Sequence, residues 1–261
     1  MTRQQGLAPL LLILLLSKVA GATPEELDPL LECAQANWPK STSVQTVEFR
    51  SVDRVGNGRR IKAKVHWKRF EDGRSKVMLR VSEPADLKDS ALLLIEKEDR
   101  ADMFLFLPDL KKVKRVTSGM LSGSLFGSDF TYEDFMQLQG IGIGGRHEVM
   151  DDASIDGAVL QVVAHYPAAD SGSAYQRVVS YWDRDACLLV RSEMWGRGES
   201  PRKVLSVDRS AVFTSNGVKL LQKLVMTDLR DETSTHLSID AIEIDVDLPR
   251  KLFSTSGLGR N

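Results

Sequence analysis

The chain has 261 residues, 42% of them hydrophobic and 27% charged, which supplies a real core for one sizeable domain and excludes disorder as the main state. Its 35 basic and 36 acidic residues nearly cancel, which argues against a polyanionic partner, so no nucleic acid is expected.

Arg3, the apolar run Leu7 to Leu16 and the small-x-small site Ala20-Gly21-Ala22 read as a secretory signal peptide over residues 1–22. The mature protein is then expected to start at Thr23, with residues 23–261 forming a single domain, a monomer. No later run approaches the ~20 apolar residues that a bilayer requires, so no transmembrane segment is expected in the mature chain. No Cys follows the cleavage site, so no lipid anchor of the bacterial lipoprotein kind is expected either.

Thr23-Pro24-Glu25-Glu26 is a helix start, with a capping hydroxyl, Pro at the first helical position and acids in the first turn. Leu27, Leu30, Leu31 and Ala34 share one face, and the helix should end near Asn37 because Trp38 precedes Pro39. Cys33 on this helix and Cys187 at the start of a strand are the only cysteines. An oxidising compartment permits them to pair, and each equally suits a small buried apolar position.

From Val44 the period changes to two. Ile61, Ala63, Val65 and Trp67 alternate with Arg60, Lys62, Lys64, His66 and Lys68, giving one apolar and one basic face. A loop Asp72-Gly73-Arg74 would set Trp67 against Leu79 and Val65 against Val81, with Arg80 beside His66 on a solvated basic face. Met103 to Leu107 is a continuous apolar run, expected to be covered on both sides, and with the continuous run Ala91 to Ile95 it reads as the floor of the core. Further strands are expected at Arg146–Met150, Ala158–Tyr166, Tyr175–Trp182, Leu188–Trp195, Lys203–Asp208, Val218–Leu229 and Thr235–Val246, punctuated by turn signals such as Asp156-Gly157. A phase change in the last of these places a bulge near Ala241.

The stretch from Met103 to Phe135 is the densest in signals. After its apolar run come Lys111, Lys112, Lys114 and Arg115, then a Gly- and Ser-rich segment carrying Met120, Leu121, Leu125 and Phe126. That segment reads as a mobile lid. Thr131, Glu133 and Asp134 then read as a cap and an acidic first helical turn.

Leu107-Pro108 with Leu110-Lys111-Lys112-Val113-Lys114-Arg115, and then Phe126-Gly127-Ser128-Asp129-Phe130-Thr131-Tyr132-Glu133-Asp134, resemble the signature of the outer-membrane lipoprotein-sorting (LolA-like) family. The resemblance implies a periplasmic, mainly β protein of LolA/LolB-like fold: a curved antiparallel sheet forming an incomplete barrel, closed by helices around an apolar cavity. It also implies work beside an inner-membrane exporter of the resistance-nodulation-division (RND, MMPL) type. Phe106 stands where the family usually has Tyr, and Lys88-Asp89-Ser90 where it has a Gly-rich turn; these departures bear on the cargo and leave the fold in place.

Other chemistry finds little support. Gly140, Gly142 and Gly145 have dinucleotide-site spacing in the wrong order, after a helix and before a strand, and are expected to turn the chain with Ile141 and Ile143 tucked inward. His66, His147, His165 and His236 lack metal-ligand spacing, and Ser122 lacks a nucleophile elbow. No cofactor, metal or catalytic residue is therefore assigned. The function expected is that of a carrier that binds acyl chains of a lipid or lipoprotein without breaking bonds and passes them toward the outer membrane. The candidate lipid contacts are Trp67, Phe104, Phe106, Leu125, Phe126, Phe130 and Tyr132, and Lys111, Lys112, Lys114 and Arg115 are candidates for meeting a membrane or partner. The alternatives are an accessory protein of an envelope exporter complex and, behind it, a hydrolase.

N-terminal sequencing of the protein from a periplasmic fraction should find Thr23 as the first residue. Met1 retained on a cytoplasmic protein would contradict every envelope role.

Overall fold

The computed structural model describes residues 28–98, 100–142 and 144–259. The signal peptide, the Thr23 helix start and Ile143 lie outside the described residues. Helix α1 (Asp28–Ala36) is followed by strands β1 (Thr42–Val52), β2 (Gly58–Arg69), β3 (Ser75–Glu83), β4 (Ala91–Glu96), β5 (Ala101–Leu107) and β6 (Lys112–Val116). Helix α2 (Tyr132–Leu138) then leads into β7 (Gly145–Ile155), β8 (Ala158–Pro167), β9 (Arg177–Asp183), β10 (Leu188–Trp195) and β11 (Lys203–Val207). Last come β12 (Val212–Ser215), β13 (Val218–Leu221), β14 (Lys223–Asp228), β15 (Thr233–Ile244) and helix α3 (Thr255–Leu258).

Thirteen strands form one antiparallel sheet in the order β6-β5-β4-β3-β2-β1-β15-β14-β11-β10-β9-β8-β7. Its outer strands, β6 and β7, do not pair with each other, so the curved sheet stays an incomplete barrel. The seam joining its two halves is the β1–β15 ladder, where Thr46 faces Ala241 and Val47 faces Ile239. Asp240 is the extra residue there, and this is the bulge that the phase change near Ala241 predicts.

The concave face holds the main core, with Val47, Phe49, Val65, Leu79, Leu92 and Met103 buried together. The β2–β3 register departs from the expected one: Trp67 faces Val77, Val65 faces Leu79 and Lys64 faces Arg80. The loop is Glu71-Asp72-Gly73, closed by a bond from the Phe70 N–H to the Arg74 carbonyl at 2.8 Å. A two-residue shift in register preserves which residues share a face, so the apolar side is as expected while each pairing moves.

The opposite face of this half is not simply solvated. Met78, Ala91 and Leu93 pack there against Leu248, Phe253 and Leu258 of the C-terminal segment. The Arg80 guanidinium donates to the Gly257 and Leu258 carbonyls at 3.2 and 3.0 Å, and Lys68 Nζ donates to the Leu248 carbonyl. Two of the residues assigned to a basic surface thus clamp a covering strap, and the continuous apolar run of β4 is explained by cover on both sides.

The expected strand Val218–Leu229 breaks at Gln222, whose N–H donates to the Ala211 carbonyl at 2.9 Å while its carbonyl accepts from the Ile239 N–H at 2.8 Å. The part before the break joins the unexpected β12 as a separate hairpin.

Helix α1 ends at Ala36, as Trp38-Pro39 predicts. Cys33 and Cys187 form a disulfide, and Asn37 Nδ2 donates to the Ala186 and Cys187 carbonyls, each at 3.0 Å. The helix is thereby fastened to the β9–β10 turn. The bridge closes a sequence separation of 154 residues, so in the loop-entropy account its loss is costly. Replacing both cysteines by Ser should lower unfolding free energy by about 2–5 kcal/mol, read by urea titration against the oxidised wild type; an unchanged midpoint would show that α1 is held without the bridge.

Candidate functional site

Between the sheet and the two helices lies a cavity of about 180 Å³. Val47, Phe49 and Val65 from the sheet form its floor, Leu125, Phe130 and Phe135 cover it from the central segment, and Ala34 and Trp38 close it at the end of α1. On the far side Leu220 and Leu221 of the β12–β13 hairpin complete the wall. Phe130 stands edge-on to Phe49, with ring centroids 5.8 Å apart.

The covering segment is fixed by its hydrogen bonds. The Leu125 N–H donates to the Phe130 carbonyl at 2.8 Å, the Tyr132 N–H to Gly123 and the Glu133 N–H to Leu121, both at 3.1 Å. The expected mobile loop is a hydrogen-bonded turn, with Phe126 and Gly127 at positive φ of 53° and 85°. Asp129 ties the turn to β15: its N–H donates to Thr235 Oγ1 at 2.9 Å, and its carboxylate accepts from the Thr233 and Thr235 hydroxyls.

Helix α2 starts with the expected cap. The Asp134 N–H donates to Thr131 Oγ1 at 3.0 Å, and Asp134 Oδ2 accepts the Thr131 N–H at 2.8 Å, a reciprocal capping box. Glu133 and Asp134 are also buried, beyond anything helix-start electrostatics require. Asp134 accepts from the Tyr175 hydroxyl at 3.0 Å, and Glu133 accepts from the Ser173 hydroxyl and from the Ala174 N–H at 3.1 Å. Burial raises the pKa of both carboxyls because it penalises the charged form. The donors, and the buried Lys203 whose ammonium bonds the Asp129 carbonyl, oppose that shift. Burial, with Asp134 beside it, likewise raises the Tyr175 phenol. The node fastens the 168–176 connection to the start of α2.

Of the expected lipid contacts, Leu125 and Phe130 line the cavity. Trp67 lies behind Trp38, ring centroids 6.1 Å apart, and Tyr132 and Phe126 belong to the surrounding core. Phe104 and Phe106 require correction. They pack with Phe253 and Leu258 on the other face of the sheet, because Met103 and Leu105 take the concave positions of β5. Sequence reasoning overlooked Phe49, Trp182, Leu188 and Leu189 of the lining; the period-two pattern of Val47 and Phe49 was the available signal. Lys112, Lys114 and Arg115 lie exposed on edge strand β6, after Lys111 in a left-handed turn, and Arg115 is paired with Asp102. The cluster is outside the cavity. Among the described residues no helix is long and apolar enough to cross a membrane.

Comparison with known proteins places this geometry. A family model described as an uncharacterized protein matches residues 73–260. A crystal structure of an outer membrane lipoprotein-sorting protein domain from Vibrio parahaemolyticus superposes with a TM-score of 0.79 at 22% identity, over 90% of this chain and 98% of that one. A DUF1329 family protein from Desulfovibrio piger gives 0.81 at 20% identity, with 90% and 98% covered. A LolA superfamily protein from Nitrosomonas europaea gives 0.68 at 18%, with 88% and 97% covered. No curated protein matches the sequence significantly. At these identities the likeness establishes the fold, which is LolA-like, as the sequence resemblance implied.

The raised carboxyls make a signed prediction. A carboxyl with a raised folded pKa contributes stability that is fully present below its unfolded value, about 4.3 for Glu, and lost as pH rises through the folded value. The wild type should therefore lose stability relative to Glu133→Gln as pH rises above about 4.3, followed as the difference between the two melting temperatures. A difference running the other way would mean that Ser173, Ala174 and Lys203 outweigh burial.

Proposed function

The chain belongs to the family whose model spans residues 73–260, and from its LolA-like fold we propose that it is a periplasmic carrier of acyl chains. The observation that carries this reading is the apolar cavity beneath Leu125, Phe130 and Phe135. The work done is binding: each methylene sheltered from water contributes about 0.8 kcal/mol, and no bond is broken. At about 180 Å³ the cavity falls below the ~300 Å³ of ordinary ligand pockets, so loading a full chain requires outward movement of the cover. The disulfide holds α1 and the carboxyl node holds the first turn of α2. The end of α2, which lines the cavity through Leu138 and Gln139, is the part left to move. Gly140, at a φ of 73°, follows it.

In this reading the cargo is a lipid or lipoprotein and the direction of transfer is toward the outer membrane, beside an RND-type exporter. Lys112 and Lys114 on an exposed sheet edge support contact with an acidic partner or an anionic membrane. The same edge favours a second reading, an accessory protein that docks on an exporter and carries nothing.

Native mass spectrometry of protein taken from the periplasm should show a bound acyl lipid. Leu138→Asp, a change at a half-buried cavity residue, should abolish that species while shifting the melt far less. Empty wild-type protein that also refuses a fluorescent fatty acid would overturn the carrier in favour of the accessory role.

A further inference from the structure

The cavity is not apolar throughout. Gln45 lines it from β1 and is only 8% exposed, yet among the described residues its amide has no hydrogen-bond partner. Gln139 lines it from the end of α2, and among the described residues its buried Oε1 has no partner. Lys219 lines it from β13, and among the described residues its ammonium has neither a hydrogen bond nor an ion pair. A buried amide that gives up water for nothing is costly. The buried Gln139 oxygen, the largely buried Gln45 and a Lys219 ammonium with no partner among the described residues face one cavity, and together they point to a polar group that is meant to arrive.

These residues share one end of the site. The Lys219 N–H donates to the Asn37 carbonyl at 2.9 Å, which sets β13 against the end of α1. Gly140, directly after Gln139, lies against the Trp38 ring, and Trp38 in turn packs on Trp67, whose strand partner Ser43 is two residues before Gln45. Phe49 and Phe130 mark the other end: Phe49 is four residues along β1 from Gln45, about 13 Å at the rise of an extended strand. Phe49 and Phe130 therefore stand at one end of the cavity, while the two amides and the lysine, with Trp38 near them, stand toward the other.

We propose that this site takes a single-chain amphiphile with an anionic head, a carboxylate or a phosphate ester, and that Lys219, Gln45 and Gln139 receive the head while the chain runs toward Phe49 and Phe130. Lys219 supplies the charge. The glutamine amides, which can present either N–H or C=O by rotating about the terminal bond, complete the hydrogen bonds. The inference rests on the carrier reading and adds to it the chemistry of the head group.

The test compares four ligands of one chain length, decanoate, decyl phosphate, decanol and decyltrimethylammonium, each displacing a fluorescent fatty acid from the full-length mature protein below the micelle concentration. Both anions should bind about tenfold or more tightly than decanol, and the cation most weakly. Lys219→Gln should bring the anions down to the level of decanol while leaving decanol itself and the thermal melt unchanged, and Lys219→Arg should restore them. Gln45→Leu should weaken the anions and not decanol. Preference for decanoate identifies a fatty acid as the source of the head, and preference for decyl phosphate a lysophospholipid; either order supports the proposal. Equal binding of all four heads, or anion binding indifferent to Lys219→Gln, would overturn it and leave the carrier intact. Binding of none of the four would overturn both.

Discussion

Burying two adjacent carboxyl groups at the head of a seven-residue helix is the constraint on which the covered cavity depends. A helix as short as α2 has no stability of its own in water, and its place over the sheet has to be imposed from outside. Thr131, Ser173, Ala174 and Tyr175 impose it by satisfying Glu133 and Asp134 in a setting where an unpartnered carboxylate would be intolerable. Once that turn is fixed, Phe130 just before it and Phe135 within it fall over Phe49 and Val47, and the cavity has a ceiling. The polar groups specify position; the aromatic rings supply the apolar area.

The sheet presents the complementary problem of two faces. On the concave side the helices and the 121–131 turn provide cover, and on the other side of β3 to β5 the strap ending in Leu258 does so. That is why β4 can be apolar at Ala91, Leu92, Leu93 and Leu94 in succession and still be fully buried. Arg80 and Lys68, which bond the carbonyls of that strap, show how a basic stripe can be structural: a long cation satisfies chain-end carbonyls that no strand is available to pair.

Much of this was legible in the sequence, and the failures have physical causes. Alternation over residues 60–68, the continuous run of β4 and the phase change near Ala241 each reflect local geometry, so strand faces and the bulge were readable. Thr131 as the cap and Glu133 and Asp134 in the first turn were readable for the same reason, while the reciprocal bond from the Thr131 N–H to Asp134 came only with the structure. The β2–β3 register was misread because its two candidates differ by two residues and bury the same side chains. Phe104 and Phe106 were misassigned because a strand covered on both faces carries no alternation to say which face is which. The break at Gln222 is set by Ala211 and Ile239, distant in sequence, and the pairing of Cys33 with Cys187 depends on where two remote segments meet. The polar end of the cavity was invisible for the same reason: Gln45, Gln139 and Lys219 come from three elements that only the fold assembles.

The β1–β15 seam imposes an order of events on the chain. The strands β1 to β6 are consecutive neighbours in the sheet, and β7 to β11 are consecutive too, so each half can zip up from nearby hairpins. The ladder that joins them pairs residues 43–52 with residues 234–244, far apart in sequence. A polypeptide that emerges from its N-terminus holds β1 with an unpaired edge until residues 234–244 appear. For that interval the strand that will form the cavity floor is an open edge able to pair wrongly, and keeping it from the wrong partner falls to whatever accompanies the growing chain.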